Sequence, residues 1–237
     1  MHELITAVGS GCGLPDEQVR YAFALALEQA VCEYYGISEC PVDLEDKIVA
    51  PAFQEFSEKE CENLDQVYPE LLFSELPKNI INRCRQLFSE NLVSMETVFL
   101  YEKWTRKIHQ AVEGVICDVE DDRIWVRLED NTRGVMLKPE WVPAEVPIYW
   151  ENGVLWFYVT KVIREQSTVT VYLSRGSKNF PAAMIKKKCP WLKIQAKKRI
   201  RGKKTWIKSS AGIDQKIIRA LQRELKGEII VVSLDRL

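Results

Sequence analysis

From Ala111 onward the apolar residues stop recurring at helical spacing and begin to alternate. "VEGVICDVE", "DRIWVRLED", "RGVMLKPE", "VLWFYVTKVIRE" and "TVTVYLS" are five short runs rich in β-branched and aromatic side chains. Turn residues separate them: Glu120 to Asp122, Asp130 with Asn131, and Asn152 with Gly153. A strand must find partners for its backbone groups. Five strands within about 65 residues, with a longer Pro-containing connection between the third and fourth, predict an OB-type barrel. A five-stranded SH3-like barrel is the competing closure.

The flanks read differently. "GLPDEQVRYAFALALEQAVCEYYG" carries helix punctuation: Pro15 at the first turn, Asp16 and Glu17 at the positive end, Gly36 as the C-terminal cap. Val19, Phe23, Leu27, Ala30 and Tyr34 make its apolar face. A second helical pattern runs from about Asn79 to His109, with Ile80, Cys84, Leu87, Met95 and Phe99 as core candidates. Residues 37–79 contain Pro41, Pro51, Pro69 and Pro77 and yield no clear elements. After Ser174 the pattern predicts helix, strand, strand, helix, strand. The corresponding stretches are "NFPAAMIKKKC", "WLKIQAKKRI", "KKTWIKSS", "IDQKIIRALQREL" closed by Gly227, and "EIIVVSL". The expected class is therefore α+β and multidomain: a mainly helical domain over 1–109, a barrel over 110–175 and a basic αββαβ module over 176–237.

Charge divides the chain along the same lines. Residues 1–165 hold 15 Lys and Arg against 30 Asp and Glu, whereas residues 166–237 hold 18 against 4. Between Gln166 and Ile213 stand thirteen cations and no acid, with Trp191 and Trp206 among them. A solvated helical face mixes signs. A one-sign stretch interleaved with indole rings points to a polyanion, phosphate meeting charge and bases meeting ring faces.

Catalytic chemistry finds little footing. The seven cysteines include no C-x-x-C pair, and His2 and His109 stand apart, so a zinc site or a disulfide framework is not expected. "DVEDDR", Asp118 to Arg123, reads as a hairpin turn, since adjacent carboxylates diverge there. No P-loop, Rossmann glycine pattern or Ser-His-Asp arrangement occurs. The expectation is a non-enzymatic, cytoplasmic monomer without cofactor, leader or membrane span.

The order of an acidic helical segment, a five-stranded barrel and a basic αββαβ unit resembles the bacterial transcription elongation factor NusA. "GLPDEQVRYAFALALEQAVCEYYG" is similar to that family's first helix, and "AVEGVICDVEDDRIWVRLEDNTRGVMLKPEWVP" to its passage from helix into the S1-type OB barrel. "VYLSRGSKNFPAAMIKKKCP" resembles the exit from that barrel, and "GIDQKIIRALQRELKGEIIVV" the end of its first KH module. The resemblance implies an N-terminal domain that docks on RNA polymerase and a C-terminal part that holds nascent single-stranded RNA. It thereby implies an influence on pausing, termination or antitermination. Two departures mark a reduced relative: only one such module is present, and its G-x-x-G loop keeps Gly212 but has Gln215 at the second glycine.

The candidate RNA contacts are Lys193, Lys197, Lys198, Arg199, Arg201, Lys203, Lys204, Trp206 and Lys208 on the two basic strands. Gly212 in the loop, Lys216 and Arg219 on the following helix, and Trp125 with Arg127 on the second barrel strand complete the set. Strand alternation displays Lys193, Gln195 and Lys197 opposite Leu192, Ile194 and Ala196, and puts Lys204, Trp206 and Lys208 on one face. Trp206 serves either a base or the core, and Trp125 either RNA or a neighbouring domain. Trp141, Trp150 and Trp156 are expected to be structural. A ribosome-associated or mRNA-binding regulator is the alternative function, and a nuclease using the acidic residues a third.

Overall fold

The computed structural model describes residues 12–51 and 70–234; His2 and Cys61 lie outside them. The chain divides into two compact units, residues 1–99 and 100–237.

In the first unit, α1 (Asp16–Tyr35) begins after Pro15, which stands in the extended capping position, where its missing N–H costs no helical bond. The helix ends at Gly36, whose φ of 68° is open to a residue without Cβ. Val19, Phe23, Leu27 and Ala30 are buried as expected, but Tyr34 is half exposed and meets Tyr35 edge-on. Val31 and Ala26 complete the inner face instead. The face packs on α2 (Lys78–Thr105) through Ile80, Cys84, Leu87 and Phe88, with Met95 and Phe99 partly buried. Phe23 and Phe88 meet edge to face at 5.3 Å, a contact worth about 0.5–1.5 kcal/mol beyond its buried area. The prolines of residues 37–79 conceal a small antiparallel sheet of β1 (Val42–Asp43), β2 (Ile48–Val49) and β3 (Leu71–Leu72). Two-residue strands are too short for a sequence period to register.

The second unit opens with a barrel of β4 (Ala111–Val119), β5 (Arg123–Arg127), β6 (Arg133–Leu137), β7 (Val154–Glu165) and β8 (Thr168–Ser174), closed in the order β4-β5-β6-β8-β7. β6 and β8 run parallel while every other pair is antiparallel. The long connection after β6 therefore carries the chain across to β7 before β8 returns. Ile116, Ile124, Met136, Phe157 and Val171 fill the interior, and Trp104 from the end of α2 joins them with its indole N–H on Thr132 Oγ1 at 2.9 Å. Glu120 N–H donates to Arg123 O and Arg123 pairs with Asp122, which makes the "DVEDDR" acids part of a hairpin turn. Trp141 is partly buried and bonds Met136 O, but Trp150, expected to be structural, is 57% exposed.

The chain continues as α3 (Phe180–Lys188), β9 (Ile194–Ile200), β10 (Lys204–Ser209), α4 (Gln215–Glu224) and β11 (Ile229–Leu234). β10 is central, antiparallel to β9 and parallel to β11. Barrel and three-stranded sheet share one compact unit. A buried ionic junction joins them. Arg175, fully buried, pairs with Glu145 and Glu224 and donates to Trp156 O at 2.7 Å. Burial opposes the Arg175 charge, yet Glu145 and Glu224 hold its pKa above the ordinary value. Tyr149 donates to Glu145 at 3.1 Å, and burial, with the Glu145 charge beside it, pushes the phenol up.

Among the described residues no helix is long and apolar enough to cross a membrane. Cys40, Cys84 and Cys189 are buried, whereas Cys117 is exposed. Burial pushes the Cys40 thiol up to about 12 and the Cys84 thiol to about 11, so neither forms thiolate near neutrality. At pH 8 a thiol reagent is expected to label Cys117 in the native protein and to reach Cys40 and Cys84 only on unfolding. Native labelling of Cys40 at the Cys117 rate would contradict this burial.

Candidate nucleic-acid interface

The outward face of the β9–β11 sheet is built around Trp206. Lys204 Nζ lies 5.0 Å and Lys198 Nζ 5.7 Å from its ring centroid, within cation–π range. β-register sets Trp206 opposite Lys198 on one side and Val231 on the other. Lys208 lies two residues further along the same face, opposite Gln195 and Ser233. Trp206 is thus a partly exposed surface ring, and the buried side of its strand is Thr205, Ile207 and Ser209.

One irregularity changes the expected display. Strict alternation would send Lys198 inward and Arg199 outward. Instead Trp206 pairs with Lys198 and Ile207 with Ala196, which leaves Lys197 as the extra residue of a β-bulge. Lys197 and Lys198 are both exposed, and Arg199 turns in, its side chain only 1% exposed. There it pairs with Glu228 at 2.9 Å and donates to Arg175 O and Ser177 O at 2.6 and 2.7 Å. Arg199 is therefore a structural cation rather than a surface contact. Glu228 also accepts from Gly202 N at 3.0 Å and from Thr205 Oγ1. Gly202, at φ 69°, makes that turn possible, and a Cβ there would stand 3.0 Å from Ala144 Cβ.

The remaining candidates separate into groups. Lys193 and Lys203 are exposed. Arg201 is exposed but donates to Pro139 O at 2.6 Å and lies over Gly176, so it ties the β9–β10 turn to the barrel. The loop between β10 and α4 spans only residues 210–214, with no helix before it. A Cβ at Gly212 would meet nothing within 4 Å, so no close approach demands glycine there. Gln215 begins α4, and Asp214 caps it by accepting from Lys216 N at 2.7 Å. The sequence G-x-x-Q is thus a helix-capping loop. Lys216, Arg219 and Arg223 are exposed along α4, opposite the buried Ile218 and Leu221.

The barrel carries a second cluster. Trp125 is partly exposed, its indole N–H on Glu120, and Arg133 Cζ lies 3.7 Å from the ring centroid. Register runs Trp125, Val135, Tyr172, Lys161 across β5, β6, β8 and β7, and Lys161 Nζ sits 4.1 Å from the Tyr172 centroid. Arg127 is exposed on the same side of β5 as Trp125. Each pair forms across an antiparallel neighbour, Arg133 with Trp125 over β5–β6 and Lys161 with Tyr172 over β7–β8, and the two pairs escape a sequence reading as one row because only the parallel β6–β8 pair joins them. The signal available was alternation, which already places Tyr172 outward between Val171 and Leu173.

Among the described residues no group of three or more His, Cys, Asp or Glu is placed to hold a metal. No known protein family matches the chain by sequence, and no curated protein does. Among solved structures it is similar to a multidomain protein with nucleic acid binding domains from Streptococcus pneumoniae TIGR4, at 19% identity and TM-score 0.24, over 31% of this chain and 25% of that one. It is also similar to the apo form of Mycoplasma genitalium RNase R, at 15% identity and TM-score 0.27, over 43% of this chain and 18% of that one. The chain thus spans a quarter or less of either protein, and likeness at this level carries no argument about function.

Adjacent residues on β9 are expected to behave oppositely. Arg199→Ala leaves Glu228 buried without its cation and lowers stability by about 3–5 kcal/mol. Lys198→Ala, on the surface, stays within about 0.5 kcal/mol of the parent. Denaturant titration of both variants decides this, and equal stabilities would contradict the buried pair.

Proposed function

We propose that the protein binds single-stranded RNA through its second unit, without catalysing a reaction. The observation that carries this reading is the Trp206 face: a partly exposed indole flanked by Lys198 and Lys204, with Lys197, Lys203 and Lys208 around it. Bases stack on ring faces irrespective of identity, while lysines answer phosphates, so such a surface binds strands with little sequence preference. The Trp125–Arg133 and Tyr172–Lys161 pairs offer the same combination on the barrel. The strand order with its parallel β6–β8 pair favours the OB-type reading over the SH3-like one. The αββαβ order agrees with a KH-like module in which surface charge takes the place of a glycine clamp.

On this reading the acidic first unit is the protein-docking part. Together with the resemblance to NusA it leads to the finer proposal: docking on bacterial RNA polymerase, with emerging RNA held by the basic module and pausing or termination altered through positioning. Binding through about five lysines is expected to give a log–log salt slope of roughly −3.5 on single-stranded RNA, about −0.7 per contact. A flat slope would remove the basis for the site. Crosslinked recovery of the full chain from a bacterial lysate at moderate salt is expected to bring core RNA polymerase with it. Recovery of ribosomal subunits instead would favour the alternative regulator.

A further inference from the structure

We infer that a groove on the barrel flank beside α3, centred on Glu113 and Trp156, is a subsite for one nucleotide whose base carries an exocyclic amino group. This rests on the RNA-binding reading above and adds a preference at one position. The groove holds about 570 Å³, within the roughly 300–1,000 Å³ typical of small-ligand sites. Its floor follows from strand register. Val115 on β4 lies opposite Arg127 on β5 and Val154 on β7, and Glu113 lies opposite Trp156. Val154 is 58% exposed, an apolar floor left open.

The charges around the floor are not equivalent. Glu129 is paired with Lys107 and Lys103, and Asp130 with Lys103, so two of the three acids on the rim are answered. Glu113 is exposed and has no ion pair among the described residues. Cations stand on both sides of it: Arg127 across β4, and Lys187 on α3, whose Nζ lies 4.4 Å from the Trp156 ring centroid and donates to Ala111 O at 3.3 Å. Lysine's four-carbon stem lets that ammonium swing from the ring to a phosphate, which exposes an indole face to a base. A phosphate is repelled at the centre and attracted at the flanks, so a strand crossing the groove turns its base inward.

An ionised carboxylate only accepts hydrogen bonds. Cytosine, adenine and guanine present amino donors, cytosine through N4 to an acidic side chain. Uracil has no amino group, and its one ring N–H lies between two carbonyl oxygens that repel a carboxylate. Arg127 also continues the strand path from Trp125, two residues away on the same side of β5.

Fluorescence anisotropy of the full chain with oligo(C) and oligo(U) RNA of equal length, at one salt concentration, tests this. The parent protein is expected to bind oligo(C) about tenfold tighter, the worth of one charge-assisted hydrogen bond. Glu113→Gln presents an amide that accepts or donates, so the ratio should fall toward one, chiefly through tighter oligo(U) binding. Glu151→Gln removes the same charge elsewhere and should leave the ratio intact. Lys187→Ala should weaken both oligonucleotides several-fold. A parent that binds both RNAs equally with a steep salt dependence, or a Glu113→Gln variant with an unchanged ratio, overturns the subsite while leaving RNA binding standing. A parent that binds neither overturns both.

Discussion

The second unit depends on two guanidinium groups held out of water. Arg175 joins Glu145 from the β6–β7 connection to Glu224 at the end of α4, and Arg199 joins β9 to Glu228 at the start of β11. The two are coupled, since Arg199 donates to the carbonyl of Arg175. Phe180 lies between them, its ring 5.5 Å from the Arg175 Cζ and 6.0 Å from that of Arg199. Two apolar layers sliding past each other would satisfy burial in many registers. Buried charges with fixed hydrogen-bond directions admit very few, because each misplacement leaves an ion without its partner. Removing either arginine therefore harms the structure far more than losing a surface lysine would.

That junction also sorts the basic residues by role. Of the cations crowded between residues 175 and 208, Arg175 and Arg199 are consumed by the interior and Arg201 by a barrel carbonyl. The lysines remain on the surface. The division follows side-chain chemistry: a planar fork satisfies several acceptors at once in a dry site, whereas an ammonium is strongly hydrated and stays in water. A long-range electrostatic surface results, with positive potential concentrated in residues 166–237 and the acidic balance held elsewhere in the chain.

Much of this was legible in the sequence. All five barrel strands and the αββαβ order appear close to where alternation and turn residues place them, because each run has a buried face that fixes its period. Three things were not legible. The β1–β3 sheet is built from strands too short to show a period. The bulge at Lys197 reverses the faces of Lys198 and Arg199, and the acid that Arg199 meets inside, Glu228, lies 29 residues away in sequence. The Tyr172–Lys161 pair falls in one row with Trp125 and Arg133 only through the parallel β6–β8 pair. Local pattern reveals which residues alternate; it does not reveal which acid waits across the fold.

On the proposed reading, RNA lies on the aromatic and cationic surfaces of the second unit. Ultraviolet crosslinking of the full chain to single-stranded RNA, followed by mass spectrometric identification of the linked peptides, tests it most directly. Adducts are expected on peptides containing Trp206 and on those containing Trp125 or Tyr172, with none from residues 12–51. Adducts concentrated on the first unit, or absent from the Trp206 peptide while the protein is bound, would contradict it.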